Sequence, residues 1–129
     1  VDEAIRQDLA HSRDELESAR ILIREKKHRQ ALSRAYYAVF YAATAILESK
    51  NIRRAKHSGV QSAFGQHLIK TKIIEAEYGN IYTRIREARE LSDYERGFVP
   101  LADFAEEKIG EAEKFVTRIE NYFRVTDTR

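Results

Sequence analysis

The stretch that most limits what this chain can fold into is Ala35–Leu47, AYYAVFYAATAIL. Twelve of its thirteen residues are apolar or tyrosine, and Thr44 is the one plainly polar position. No Gly or Pro interrupts it and only Val39, Thr44 and Ile46 are β-branched, which favours helix over strand. A helix that is apolar nearly all round needs neighbours on several sides. Bracketed by Arg34 and Glu48, it is too short to span a bilayer. It reads as the central helix of a helical bundle.

The flanking sequence supplies the other helices. Ile5, Leu9, Leu16, Ala19 and Ile23 recur at spacings of three, four or seven, with Ser12 filling the gap in the stripe, and predict a first helix over Asp2–Lys26. Acids at its start and Arg24, Lys26 and Lys27 at its end match the helix dipole. The second helix follows from His28 or Arg29 to Ser49, so the first two pack as antiparallel neighbours. Asn51–Lys56 reads as a basic loop. Val60, Phe64 and Leu68 mark a short third helix over Ser58–Ile69, and residues 71–80 form a connector of undecided helicity. Ile81, Ile85, Ala88 and Leu91 predict a fourth helix over Ile81–Tyr94. Gly97 suits a C-terminal cap and Pro100 the first turn of a fifth helix running to Phe123. The expectation is one all-α domain over residues 1–129, an up-and-down antiparallel bundle of about five helices.

Composition narrows the chemistry. The 129 residues include no Cys, which removes disulfides, thiolate metal sites and cysteine nucleophiles. The opening VDEAIRQDLA is acidic and amphipathic rather than a secretory leader, and a cytoplasmic location without membrane association is expected. The net charge of +2 hides segregation: residues 1–19 carry −4, residues 20–72 carry +10 and residues 73–129 carry −4. The basic middle either meets nucleic acid or an acidic partner, or is neutralised by acidic helices folding back on it.

Two stripes are candidates for function. On the fourth helix Tyr82, Arg86, Arg89, Asp93 and Arg96 follow at steps of four, three, four and three, and share a face. Three guanidiniums there suit a phosphate-bearing ligand. The competing reading is a solvated face, although the Arg89–Asp93 pair runs base before acid, the weaker direction for helix support. On the central helix Arg34, Tyr37, Tyr41 and Thr44 form an amphipathic stripe, and Tyr36, Phe40, Ala43 and Leu47 a core one. The amphipathic stripe lines a cleft or subunit interface, or simply packs, with Arg34 pairing a nearby acid. Asp8-x-x-His11 and Glu25-x-x-His28 imitate the spacing of di-iron bundles, but such sites need these motifs on two helices plus two further inward glutamates, and both lie on, or at the end of, the first. No metal site and no cofactor are expected. His57 and His67 frame the third helix, ten residues apart.

The run Ser33–Ala43 (SRAYYAVFYAA), then Lys56–Val60 (KHSGV) with Phe64, then Arg86–Tyr94, resembles HEPN-domain proteins, in their small stand-alone prokaryotic branch. The resemblance covers nearly the whole chain. It implies a helical bundle that forms a homodimer and is often encoded beside a minimal nucleotidyltransferase as a toxin–antitoxin pair. Many members are metal-independent ribonucleases whose Arg is followed four to six residues later by His. In some, a Tyr just after that His is adenylylated by the partner. The Arg corresponds to Arg89, or to Arg86 at the longer spacing, whereas the motif His has no counterpart in RELSDY, where Asp93 and Tyr94 stand. Histidine suits proton transfer near neutral pH, and an ordinary Asp or Tyr does not. The resemblance therefore implies binding of RNA or nucleotide phosphate ahead of catalysis. Arg86, Arg89, Arg96 and Tyr82 are the expected phosphate contacts, and Arg89, Asp93 and Tyr94 the candidates for any chemistry. Arg34, Tyr37, Tyr41 and His57 are expected at the cleft or interface. Two alternatives remain: a toxin endoribonuclease and a structural adaptor.

Overall fold

The computed structural model describes residues 1–127 and shows five helices, with no strand among the described residues. They are α1 (Glu3–Arg24), α2 (His28–Glu48), α3 (His57–Phe64), α4 (Ala76–Tyr94) and α5 (Ala102–Asp127), and α3 runs on as a π-helical turn over Gly65–Ile69. The architecture is the expected all-α bundle. Residues 128 and 129 of the expected domain lie outside the described residues. No helix among the described residues is long and apolar enough to cross a membrane.

α2 is the hub and packs against α1, α3, α4 and α5. Its buried set, from Ala31 to Leu47, includes Ala31, Ala35, Ala38, Ala42, Ala43 and Ala45, each with no exposed surface. Alanine lets neighbouring backbones approach closely on every side without loss of helix propensity. α1 uses this approach: Ser12, fully buried in its apolar stripe, donates from Oγ to the Ala38 carbonyl at 2.6 Å. The turn between α1 and α2 is only residues 25–27. Lys26 is left-handed at φ 61°, and Lys27 N–H reaches back to the Leu22 carbonyl at 2.8 Å. That arrangement closes a helix C-terminus, usually with Gly at the left-handed position.

Four sequence boundaries shift. α4 begins at Ala76, so half of the undecided connector is helical. Tyr78 is buried against Phe115, and Gly79 lies against Ile69, contacts that no local signal announces. Leu91, expected in the buried stripe of α4, is 42% exposed, and Ser92 is buried in its place. Gly97, at φ 84°, is not the α4 cap: it sits inside a turn closed by Phe98 N–H to the Glu95 carbonyl. Pro100 lies two residues ahead of α5 rather than in its first turn, is buried, and lends its carbonyl to His28 Nδ1 at 3.1 Å. His28 opens α2, within the expected start at His28 or Arg29.

Acidic α5 folds back on basic partners from several helices. Glu113 and Glu120 pair with Arg13, Glu113 also with Arg20, and Glu111 with Arg84 and Lys108. Of the basic middle segment, Arg20 and Arg34 reach acids of the flanking helices, while Arg53 pairs with Glu48 in its own segment. Folding back thus neutralises only part of that charge.

Two outcomes test this packing. Ser12→Leu should lower unfolding free energy by about 1–3 kcal/mol in urea titrations, because no space exists at the α1–α2 contact. Ser12→Ala should cost only about 1 kcal/mol, the net worth of one hydrogen bond. Burial alone would raise Glu111 and Glu113, but bonds from Arg84 and Lys108, and from Arg13 and Arg20, hold both below 4.5. Folded values below the unfolded one mean a contribution that is complete above about pH 4.5 and disappears as pH falls through the lower folded values. The urea midpoint should therefore fall on acidification through this window, and less steeply in Arg13→Ala.

Candidate functional site

The two candidate stripes meet along one face where α2 lies against α4 and the start of α3. Arg89, on α4, is the joint. Its side chain is 18% exposed, and its guanidinium carbon stands 4.7 Å from the Tyr36 ring centre and 5.2 Å from that of Tyr37. Nε donates to Asp93 Oδ2 at 3.1 Å, and Nη2 reaches the Tyr37 hydroxyl at 3.4 Å. Desolvated cation–π contacts of this kind hold a guanidinium without consuming all its N–H donors. Arg89 Nη1 makes no hydrogen bond to the described protein.

Arg34 approaches the same ring, 5.1 Å from the Tyr37 centre. Its Nη1 donates to both Glu15 carboxylate oxygens, at 3.2 and 3.0 Å. Glu15 is a buried acid within the apolar stripe of α1. Two cations thus flank one tyrosine, Arg34 balanced by Glu15 of α1 and Arg89 by Asp93 of its own helix.

Around them the aromatic rings form a continuous set. Tyr37 lies 6.3 Å from Tyr41 and 5.5 Å from His57, and His57 lies 4.5 Å from Phe40. Tyr41 stacks on His11 of α1, with ring centres 3.8 Å apart. Burial raises the Tyr36 hydroxyl above the usual phenol value, and Arg89 pulls in the opposite direction. Tyr41 is also raised, first by burial and then by the Glu15 charge.

Arg86 stands one turn before Arg89 and bonds through Nη1 to Gln61 Oε1 at 3.0 Å, which ties α4 to α3. Its Nε is buried without a hydrogen bond, although Glu90 Oε1 is 3.2 Å away.

The structure therefore gathers Arg34, Tyr37, Tyr41, His57, Arg86, Arg89 and Asp93. Three expected members stand elsewhere. Tyr82 is 1% exposed, belongs to the core with Tyr36, Phe64 and Phe115, and carries a hydroxyl without a hydrogen-bond partner. Burial pushes that hydroxyl far up, so it cannot serve as a phosphate contact without opening the core. Tyr94 is five residues from Arg89, about 140° around the helix. It is 75% exposed on a different side of α4. Arg96 falls beyond the end of α4, so the helical spacing that tied it to Asp93 does not apply. His67 is half-buried in the π-helical turn.

Sequence reasoning also missed contributors. Tyr36 and Phe40 were expected only in the core, yet Tyr36 touches Arg89 and Phe40 faces His57. Glu15 sits at the edge of the α1 apolar stripe, where spacing alone does not announce its burial. His11 and Gln61 carried none, because only the packing of α1 and α3 on α2 and α4 brings them in. No group of three or more His, Cys, Asp or Glu side chains able to hold a metal ion occurs among the described residues.

The HEPN domain model matches residues 6–122, and the chain is a member of the HEPN domain family. Its relatives place it in a toxin-related branch. One, from Methanocaldococcus jannaschii and named "Putative toxin", is 42% identical over 106 residues, 82% of this chain and 78% of the relative. A second protein of that organism with the same designation is 29% identical over 107 residues, 83% and 73% of the two chains. A UPF0332 protein of Thermotoga maritima is 35% identical over 113 residues, 84% and 83%.

Removing Arg89 should move Tyr36 further up, because the cation that opposes the burial effect is gone. Spectrophotometric titration of tyrosinate in Arg89→Ala should show one phenol ionising at higher pH than in the parent. An unchanged titration curve would contradict the Arg89–Tyr36 contact.

Proposed function

We propose that this protein is a toxin-type HEPN homodimer that acts with a minimal nucleotidyltransferase partner and binds RNA or nucleotide phosphate on the α2–α4 face. The observation that carries the reading is the pair of guanidiniums, Arg34 and Arg89, held about one tyrosine ring. Bringing two like charges to one ring costs energy that Glu15 and Asp93 offset. A phosphate entering there meets cations already positioned, with Nη1 of Arg89 still able to donate. Half-exposed Tyr37, Phe40 and Tyr41 beside them offer faces on which an unpaired base stacks, a common feature of single-stranded nucleic-acid sites. The family relationship and the toxin designation of two relatives support the partnered system. Tyr94, 75% exposed, is accessible to a modifying partner.

One observation favours a second reading, a metal-independent endoribonuclease. His57 arrives from α3 into the aromatic set that holds Arg89, so an imidazole is present although α4 supplies none. A neutral imidazole there can take the 2′-hydroxyl proton as that oxygen attacks phosphorus. The 5′-oxygen then leaves with a proton from solvent, giving a 2′,3′-cyclic phosphate and a 5′-hydroxyl.

Binding should be measured with short fluorescent single-stranded RNAs across salt. Affinity should fall steeply with salt, and Arg89→Ala should weaken it about tenfold or more, charge-assisted contacts being worth about 1.5–3 kcal/mol. Binding that ignores both salt and Arg89 would overturn the phosphate assignment. Cleavage in excess EDTA that is lost in both Arg89→Ala and His57→Ala would establish the second reading.

A further inference from the structure

One stripe of α2 is left uncovered by its neighbours. From Arg34 to Glu48 the half-exposed residues of that helix are Arg34, Tyr37, Phe40, Tyr41, Thr44 and Glu48, and every other position is buried. Their spacing keeps them in one line along the helix. The phosphate site at Arg34 and Arg89 uses only the first part of this line. Its far end opens into a cavity of about 240 Å³, lined by apolar Leu47, Ile52 and Val60 and by Thr44, Glu48 and two arginines.

The sequence builds this cavity locally. Asn51 is left-handed at φ 60°, and Ile52 N–H donates to the Leu47 carbonyl at 3.0 Å, so the chain leaving α2 doubles back over its last turn. Gly59 frees the other side. A Cβ there would stand 3.3 Å from Cβ of Arg54, so glycine lets the 51–56 loop lie against α3 without displacement. α3 then contributes twice, His57 to the aromatic set and, one turn on, Val60 to the cavity.

The polar groups of the cavity favour a ligand that donates hydrogen bonds. Arg53 holds Glu48 as a fork, Nε to Oε2 at 2.8 Å and Nη2 to Oε1 at 2.5 Å, which leaves acceptor capacity on both carboxylate oxygens. Thr44 donates its hydroxyl proton to the Phe40 carbonyl at 2.8 Å, so towards a ligand it can only accept. Asp8 of α1 stands near enough for the Glu48 charge to raise its carboxyl, after burial as the first cause. A phosphate entering here would be repelled by these carboxylates. A purely apolar group would leave the acceptors without partners. A nucleobase satisfies both kinds of wall, with its face on Leu47, Ile52 and Val60 and an N–H edge on Glu48. At about 240 Å³ the cavity falls below the range of drug-sized sites and suits one ring system. Beside it Arg54 and Lys56 form no ion pair among the described residues and attract the backbone attached to the base.

We propose that this cavity is a base-selective subsite of the same single-stranded RNA path, taking a nucleobase that carries an exocyclic amino group. The amino N–H of cytosine donates to the Glu48 carboxylate, whereas uracil presents a carbonyl oxygen at the same ring position and is repelled. The inference rests on the phosphate reading of Arg89 and adds base selection to it. Tyr37 and Glu48 are eleven residues apart, about 16 Å along the helix axis, a length that a few extended nucleotides cover.

Fluorescent six-nucleotide RNAs test the subsite, with oligo(C) set against oligo(U). The full chain should bind oligo(C) about tenfold more tightly at equal salt, as expected of a hydrogen bond to a charged acceptor. Glu48→Gln, whose amide donates as well as accepts, should bring the two oligomers within about twofold of each other. Thr44→Phe, which fills the cavity from the half-exposed stripe, should lower oligo(C) to the oligo(U) level. Circular dichroism confirms that each variant is folded. Equal affinity of the parent for both oligomers, with dependence on salt and Arg89 retained, would overturn the subsite and leave the phosphate reading standing. A cytosine preference that survives in either folded variant would do the same. Absence of binding, or binding indifferent to salt and Arg89, would overturn both.

Discussion

The enclosure of α2 is the constraint on which the rest of this structure depends. Four other helices cover it, and six buried alanines let them come close. Close approach leaves little slack for a misplaced polar group, and two polar side chains of α1 admitted against α2 bring partners with them, whereas the buried Tyr82 hydroxyl has none. Ser12 brings the Ala38 carbonyl, and Glu15 brings Arg34. The candidate site is the margin of this enclosure, where α2 emerges between α1 and α4 and its rings pass from core to surface.

That margin explains why arginine and tyrosine dominate the candidate site. A guanidinium can lie over an aromatic face while retaining donors for a ligand, and an ammonium has no planar fork with which to do both. Arg89 uses Tyr36 and Tyr37 as its bed and Asp93 as its tether, and Arg34 uses Tyr37 and Glu15. The fold thereby sets two guanidiniums at one ring, each paired with a carboxylate, while ion pairs such as Arg13–Glu120 and Arg118–Glu75 tie other helices and links together. The α4–α5 end is organised differently, with Tyr94, Val99 and Leu101 largely exposed.

Much of the fold was legible because helical periodicity is a local property. The apolar run of α2 and the stripes of α1 and α5 announced themselves. α4 was read five residues short because Gly79 and Asn80 weaken the local signal, while burial of Ile74 and Tyr78 sets the true start. At the site, Arg34, Tyr37, Arg86, Arg89 and Asp93 were legible from spacing and residue type. Tyr82 shared that spacing yet lies in the core, since a residue at the edge of a helical face turns inward or outward according to what packs beside it.

The sequence by itself determined that this chain is a helical bundle built around Ala35–Leu47, that α1 and α2 are antiparallel, and that α4 carries the arginines. These follow from side-chain periodicity and loop length, which need no knowledge of distant contacts. Only the tertiary structure decided that Arg34 and Arg89 share one tyrosine, that His57 and His11 join the same aromatic set, and that Tyr94 faces away from Arg89. Those outcomes depend on the rotation of each helix about its own axis, and that rotation is set by how the helices pack on α2.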